Sequence, residues 1–119
     1  MAKKILIVED DTFLVRFLNN KLKEEGFEVE AVTGGTEALG RLEKDKYNLI
    51  VTDLIMPELD GFTFLSELQE RKNQVPVLVY SNLTQPEDEE EVIRLGAKAF
   101  LDKSHSLDGL VALIRKYVN

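Results

Sequence analysis

Three stretches of this chain are almost unbroken runs of isoleucine, leucine and valine: Ile5-Leu6-Ile7-Val8, Leu49-Ile50-Val51 and Val77-Leu78-Val79. A strand with one wetted face alternates apolar and polar side chains, so a continuous run calls for burial on both faces. Parallel sheets meet that demand, because the helices of their crossovers cover each side. With two weaker runs, the β-rich segments fall at residues 4–8, 27–31, 48–52, 75–80 and 98–101.

Helical patterns fill the gaps. Residues 12–25 carry Phe13, Leu14, Phe17, Leu18 and Leu22 as an apolar stripe of helical period, and Gly26 supplies a glycine stop. Residues 36–45 form a shorter helix with Ala38, Leu39 and Leu42 inward. Asp60 reads as the N-cap of a helix carrying Phe62, Leu65 and Leu68. Thr84-Gln85-Pro86-Glu87 has capping-box spacing with proline in the first turn, and the acidic run from Glu87 to Glu91 sits at the positive end of that helix dipole. Ser106 is placed to cap a last helix with Leu107, Leu110, Val111, Ile114 and Val118 on its inner face.

Strand and helix thus alternate five times without a long linker or repeat. Such alternation forces right-handed crossovers and an α/β fold with a parallel sheet. Five strands favour the flavodoxin-like order 2-1-3-4-5, with helices on both faces, as one domain over residues 1–119. The chain is long enough for a core without staples, and 44% apolar against 31% charged residues is a globular balance.

Composition removes several chemistries. There is no cysteine, so disulfides, thiolate zinc sites and thiol catalysis are out. A single histidine, His105, excludes any site needing two imidazoles, and a Ser-His-Asp arrangement would need His105 as its base; as a loop residue it reads as exposed. A net charge of −7 opposes binding to nucleic acid and to anionic membranes. The apolar run after Lys4 is far below the ~20 residues of a membrane span and too short for a signal-peptide core, so the expected location is the cytoplasm.

In sheets of this order, ligands bind beyond the carboxyl ends of the strands, at the switch point between the first and third. Strand 1 ends in Glu9-Asp10-Asp11, strand 3 in Asp53, strand 4 in Ser81 and strand 5 in Asp102-Lys103. Carboxylates gathered there repel one another, and a divalent cation removes that cost. Hard oxygen donors suit Mg²⁺, which takes one or two carboxylates, several waters and a phosphate oxygen. A carboxylate such as Asp53 can attack a phosphoryl group. Metal, ammonium (Lys103) and hydroxyl (Ser81) would answer the charge on the equatorial oxygens. Asp11 and Asp60 read as helix caps, and Asp102 as solvent-facing.

The segments Ile5-Leu6-Ile7-Val8-Glu9-Asp10-Asp11, Val51-Thr52-Asp53-Leu54-Ile55-Met56-Pro57-Glu58-Leu59-Asp60-Gly61-Phe62, Pro76-Val77-Leu78-Val79-Tyr80-Ser81 and Gly96-Ala97-Lys98-Ala99-Phe100-Leu101-Asp102-Lys103 resemble the response-regulator receiver family of two-component systems. The resemblance covers essentially the whole chain, with the motifs in order. It implies Asp53 as the phosphate acceptor, and Mg²⁺ held by Asp10, Asp53 and the backbone carbonyl of Ile55, with Glu9 acting through a metal-bound water. It implies that Lys103 pairs with the phosphoryl group or with Asp53, and that Ser81 and Phe100 rearrange as the switch. The donor would be a histidine kinase or a phosphotransfer domain. Output would pass to a partner protein or to a C-terminal segment beyond Asn119. Such a domain catalyses its own phosphorylation and dephosphorylation and is not a turnover enzyme.

Two departures from the family stand out. Ser104 follows Lys103 where the family usually has a proline, commonly after a cis bond; a cis bond before a non-proline costs ~3–4 kcal/mol against ~0.5–1 before proline. Either a trans bond with a shifted loop or a strained cis bond is expected, so the aim of Lys103 is the feature most exposed to change. Asn82 stands where a smaller residue is common, and Ile55 and Leu83, which flank the acceptor, are apolar and cannot orient an attacking water. Competing readings are a haloacid-dehalogenase-type phosphatase, whose Asp-x-Asp motif after strand 1 is missing here, a degenerate receiver that only binds partners, and an FMN carrier, whose phosphate loop is missing.

Overall fold

The computed structural model describes residues 2–83 and 85–119. Ten elements alternate: β1 (Lys4–Val8), α1 (Thr12–Glu24), β2 (Glu28–Val32), α2 (Gly35–Lys44), β3 (Leu49–Thr52), α3 (Gly61–Glu70), β4 (Val77–Ser81), α4 (Pro86–Arg94), β5 (Ala99–Asp102) and α5 (Leu107–Tyr117). The five strands form one parallel sheet in the order β2-β1-β3-β4-β5. This is the flavodoxin-like arrangement the alternation predicts.

Strand side chains alternate between two cores. Leu6, Val8, Ile50, Val77 and Val79 pack with Ala38, Phe64, Leu65, Leu68 and Val92 from α2, α3 and α4. Ile5, Ile7, Leu49, Val51, Leu78 and Tyr80 pack with Leu18 and Leu22 of α1 and Leu110, Val111 and Ile114 of α5. Each fully buried Leu, Ile or Val contributes roughly 1.5–3 kcal/mol, which is why the central strands tolerate no polar residue until their ends.

Helix termini follow local chemistry. Asp11 caps α1 by accepting the N–H groups of Phe13 and Leu14, and Asp60 caps α3 by accepting that of Thr63. The helix α4 begins with Pro86, its cap position is Gln85, and the expected Thr84 cap lies outside the described residues. Ser106 occupies the cap position of α5 without a side-chain capping bond. Three helices close by the same pair of backbone bonds: Phe27 N–H to Leu22 C=O and Gly26 N–H to Lys23 C=O after α1, with the equivalents Asn73–Leu68 and Lys72–Gln69 after α3, and Ala97–Val92 and Gly96–Ile93 after α4. The residue that turns the chain there has positive φ: Gly26 at 94°, Gly96 at 106° and, with a side-chain penalty, Lys72 at 56°.

Several boundaries move by one or two residues. Phe27 belongs to the close of α1 and not to a strand, so β2 starts one residue later and brings Val32 opposite Val8. The fourth strand starts at Val77, because Asn73 brackets Val75 through both its N–H and its C=O and Pro76 has no N–H to donate. One expectation fails outright. Phe13 and Phe17 are 71% and 60% exposed, not buried. The inward line of α1 is Leu14, Leu18 and Leu22, spaced by four; Phe13 and Phe17 lie one residue round the helix from it. No described helix is long and apolar enough to cross a membrane.

Candidate phosphoacceptor site

The central pair β1 and β3 delivers the acids. Backbone pairing continues past both strands, with Glu9 N–H bonded to Val32 C=O and Asp53 N–H to Val8 C=O at 3.1 Å. This fixes both side chains at the carboxyl edge of the sheet, where Glu9 is 4% exposed and Asp53 6%. Asp10 is exposed on the rim.

Asp53 is gripped from two sides. Its Oδ1 accepts the N–H of Leu54 at 2.7 Å and that of Ile55 at 3.4 Å; its Oδ2 lies 2.7 Å from Lys103 Nζ. Lys103 also reaches Glu9 Oε1 at 2.6 Å, so one ammonium bridges two buried carboxylates. Glu9 Oε2 accepts Asp11 N–H at 3.1 Å. Burial pushes the Glu9 carboxyl above its ordinary range, against the opposing pull of Lys103 and the Asp11 N–H. For Lys103, burial works against the ammonium, but the hydrogen bonds to Asp53 and Glu9 outweigh it and hold its pKa above the ordinary value.

Lys103 comes from the end of β5, and its backbone N–H bonds to Ser81 C=O at 3.0 Å. Ser81 is fully buried, with its Oγ accepting Leu83 N–H at 3.2 Å. Phe100 is half-buried against the core on the α2, α3 and α4 side. Asn82 and Ile55 are exposed, Ile55 by 59%. The Lys103–Ser104 peptide is trans. Of the two outcomes set by the missing proline, the trans bond is realised, and the lysine still reaches its acid partners. Asp102 carries a side chain that faces solvent, as expected, and its Oδ1 also accepts Ser104 N–H at 2.8 Å. His105 is exposed.

The acids fit a hard divalent cation. Lys103 pairs with Glu9 and Asp53, and Asp10 follows Glu9 on the exposed rim, so the acids at this strand edge outnumber the one ammonium bound to them among the described residues. Among the described residues no three acidic or histidine side chains converge as a ready-made cage. A Mg²⁺ ion at this edge would draw on one or two of these carboxylates and on waters.

Gly61 follows Asp60 in the acceptor motif, and the sequence alone assigns it no role beyond that place. Its N–H bonds to Leu54 C=O at 2.9 Å, and a Cβ at this position would stand 2.5 Å from the Asp53 carbonyl oxygen. Only glycine lets α3 begin this close behind the acidic loop. The Asp60-Gly61 pair was the visible signal.

The response regulator receiver domain family matches residues 5–115. The chain belongs to that family. It is 32% identical over 120 residues to the chemotaxis protein CheY of Bacillus subtilis, with the whole of both chains covered. It is 35% identical over 113 residues to the transcriptional regulatory protein PcoR of Escherichia coli, covering 95% of this chain and 50% of PcoR. The chain therefore spans about half the length of that relative. Among solved structures it is similar to the receiver domain of the Francisella response regulator 1452, with a TM-score of 0.92 and 30% identity over 97% of this chain and 95% of that one. This receiver fold accounts for the chain, and neither the phosphatase nor the FMN carrier is needed.

Proposed function

We propose that this receiver domain is a phosphoaspartate switch that takes a phosphoryl group onto Asp53 from the phosphohistidine of a histidine kinase or phosphotransfer domain. The observation that carries the reading is the clamp on Asp53, with one oxygen held by Lys103 Nζ at 2.7 Å and the other by Leu54 N–H at 2.7 Å. A carboxylate held at the carboxyl edge of the sheet beside an ammonium is pre-positioned as a nucleophile and flanked by the charge its product requires.

An Asp53 oxygen forms the new bond to phosphorus as the phosphorus–nitrogen bond of the donor breaks, and its electron pair stays on the imidazole. Lys103 then exchanges a carboxylate oxygen for a phosphoryl oxygen. Mg²⁺, held by Asp10, Asp53 and the Ile55 carbonyl with Glu9 through a water, would neutralise charge on the transferring group. The phosphoryl group of the product carries about 1.5 to 2 negative charges in place of the single charge of the free carboxylate. Ser81 would leave the Leu83 N–H for a phosphoryl oxygen, and Phe100 would follow, shifting an equilibrium between two forms of the α4–β5–α5 face. The exposed phenyls of Phe13 and Phe17 lie on the helix that starts beside the acceptor, and we assign them to the surface the donor covers. Output passes to a partner or to a further segment, and the domain itself turns over no substrate.

Intact-mass spectrometry after incubation with acetyl phosphate and Mg²⁺ tests this. A labile, phosphate-sized adduct on the wild type and none on Asp53→Ala is the expected result. No adduct with acetyl phosphate, phosphoramidate and a panel of phosphorylated kinases would leave a module that only binds partners.

A further inference from the structure

Ser104 follows the lysine of this site through a trans peptide, which raises the question of what aims the ammonium. Residues 102–105 form a turn closed by His105 N–H on Asp102 C=O at 3.0 Å. Positive φ outside glycine occurs at Glu58 and Lys72 among the described residues, so Lys103 and Ser104 both carry negative φ. That combination is the type I pattern, with Lys103 and Ser104 as its two central residues. Aspartate is favoured at the first position of such a turn, because its carboxylate takes the N–H two residues on. Here Asp102 Oδ1 accepts Ser104 N–H at 2.8 Å. That bond holds the Asp102 carboxyl below its ordinary range.

Proline could not replace Ser104 in this turn. It would offer no N–H to Asp102, and its ring would drive Lys103 out of the helical region. Lys103 is thus anchored on one side by Ser81 C=O and on the other by the Asp102–Ser104 bond. Its side chain then runs inward to Asp53 at 2.7 Å and Glu9 at 2.6 Å, with only 12% of it exposed.

We propose that Asp102 is a positioning residue for Lys103: its carboxylate closes the 102–105 turn through Ser104 N–H and so aims the ammonium at Asp53. Asp102 touches neither the acceptor nor the metal ligands, and it acts through the lysine backbone. The functional consequence rests on the phosphoacceptor reading above.

The test measures the initial rate of phosphorylation by acetyl phosphate with Mg²⁺ for Asp102→Ala, Asp102→Glu and Asp102→Asn, alone and in a Lys103→Ala background. Asp102→Ala is expected to slow the reaction about tenfold, the scale of one charge-assisted hydrogen bond. Asp102→Glu should lose as much, since it keeps the charge but not the short reach. Asp102→Asn should stay within about twofold, because its amide oxygen accepts the same N–H. With Lys103 already removed, Asp102→Ala should change nothing further. A second readout needs no phosphate: in metal-free protein, NMR of the lysine ammonium groups should show a slowly exchanging Lys103 signal in the wild type and Asp102→Asn, and lose it in Asp102→Ala. A wild-type rate with a retained ammonium signal in Asp102→Ala would overturn the proposal, as would equal losses with and without Lys103. A wild type that takes no phosphate would sink the phosphoacceptor reading instead, and the ammonium signal would still decide the role of Asp102.

Discussion

Gly61→Ala probes how closely the acceptor loop is tied to the helix behind it. A Cβ at residue 61 would meet the Asp53 carbonyl oxygen at 2.5 Å, the Leu54 Cα at 2.6 Å and the Leu54 Cδ2 at 2.8 Å. Relaxed carbon contacts lie near ~3.5–4.0 Å, so the two segments must separate by about 1 Å. Two of the obstacles are main chain, and Gly61 N–H is bonded to Leu54 C=O at 2.9 Å, so no side-chain rotation gives relief. Overpacking costs ~1–3 kcal/mol, and alanine recovers ~0.4–1 kcal/mol by restricting the unfolded chain. With a rigid obstacle the net loss should be about 2 kcal/mol. In urea, with a slope of ~1–3 kcal/mol per molar, the midpoint should fall by about 1 M at unchanged slope. Gly40→Ala is the internal control: it lies inside α2 with nothing within 4 Å of a Cβ, and should stabilise by ~0.5–1 kcal/mol. Because the loop that opens carries Asp53, Gly61→Ala should also slow phosphorylation from acetyl phosphate. A Gly61→Ala protein as stable as the Gly40→Ala control would refute the claim that this close approach is rigid.

Lys103→Met removes the cation shared by two buried carboxylates; in metal-free buffer it should cost about 3 kcal/mol, the scale of a broken buried pair, with much of the loss recovered in Mg²⁺. Urea melts in EDTA and in Mg²⁺ would check it, and equal losses in both would count against a metal sharing those acids. Thr63 N–H holds the Asp60 carboxyl below the ordinary aspartate range near 3.8. Its contribution is therefore present above that range and lost as pH falls through it, and Asp60→Asn should flatten the acid limb of the stability curve. Ile55→Asn places a polar group at an exposed position beside Asp53 and should shorten the phosphoaspartate lifetime, measured by loss of the mass adduct; an unchanged lifetime would clear Ile55 of that role. Lys72→Gly relieves a side chain at φ 56° and should raise stability by about 1 kcal/mol in thermal or urea unfolding.

Much of the site could be read from sequence because strand ends in a parallel sheet are set by local chemistry. The apolar runs stop where Glu9, Asp53 and Ser81 begin, and the alternation with helices puts those ends on one edge. The caps Asp11 and Asp60 were equally legible, since their bonds span three residues or fewer. The pattern failed for Phe13 and Phe17, because periodicity says that a residue faces a given side of its own helix, not whether another element covers that side. The solvent-facing Asp102 was read without its bond to Ser104 for a related reason: that bond depends on the turn conformation that follows β5. Gly61 owes its place to a backbone approach that has no signature beyond a glycine.

The sequence by itself determined the parallel sheet and the acids at its edge, because each follows from short-range patterns of burial and charge; the fivefold alternation favoured the strand order, and the resemblance of four motifs pointed to the family. Only the tertiary structure decided that one ammonium joins Glu9 to Asp53, that the Lys103–Ser104 bond stays trans while keeping that reach, and that Ser81 spends its hydroxyl on Leu83. Lys103 and Asp53 lie 50 residues apart in the chain. Their 2.7 Å contact is fixed by the register of β3, β4 and β5 and by the turn after β5, which no local pattern encodes.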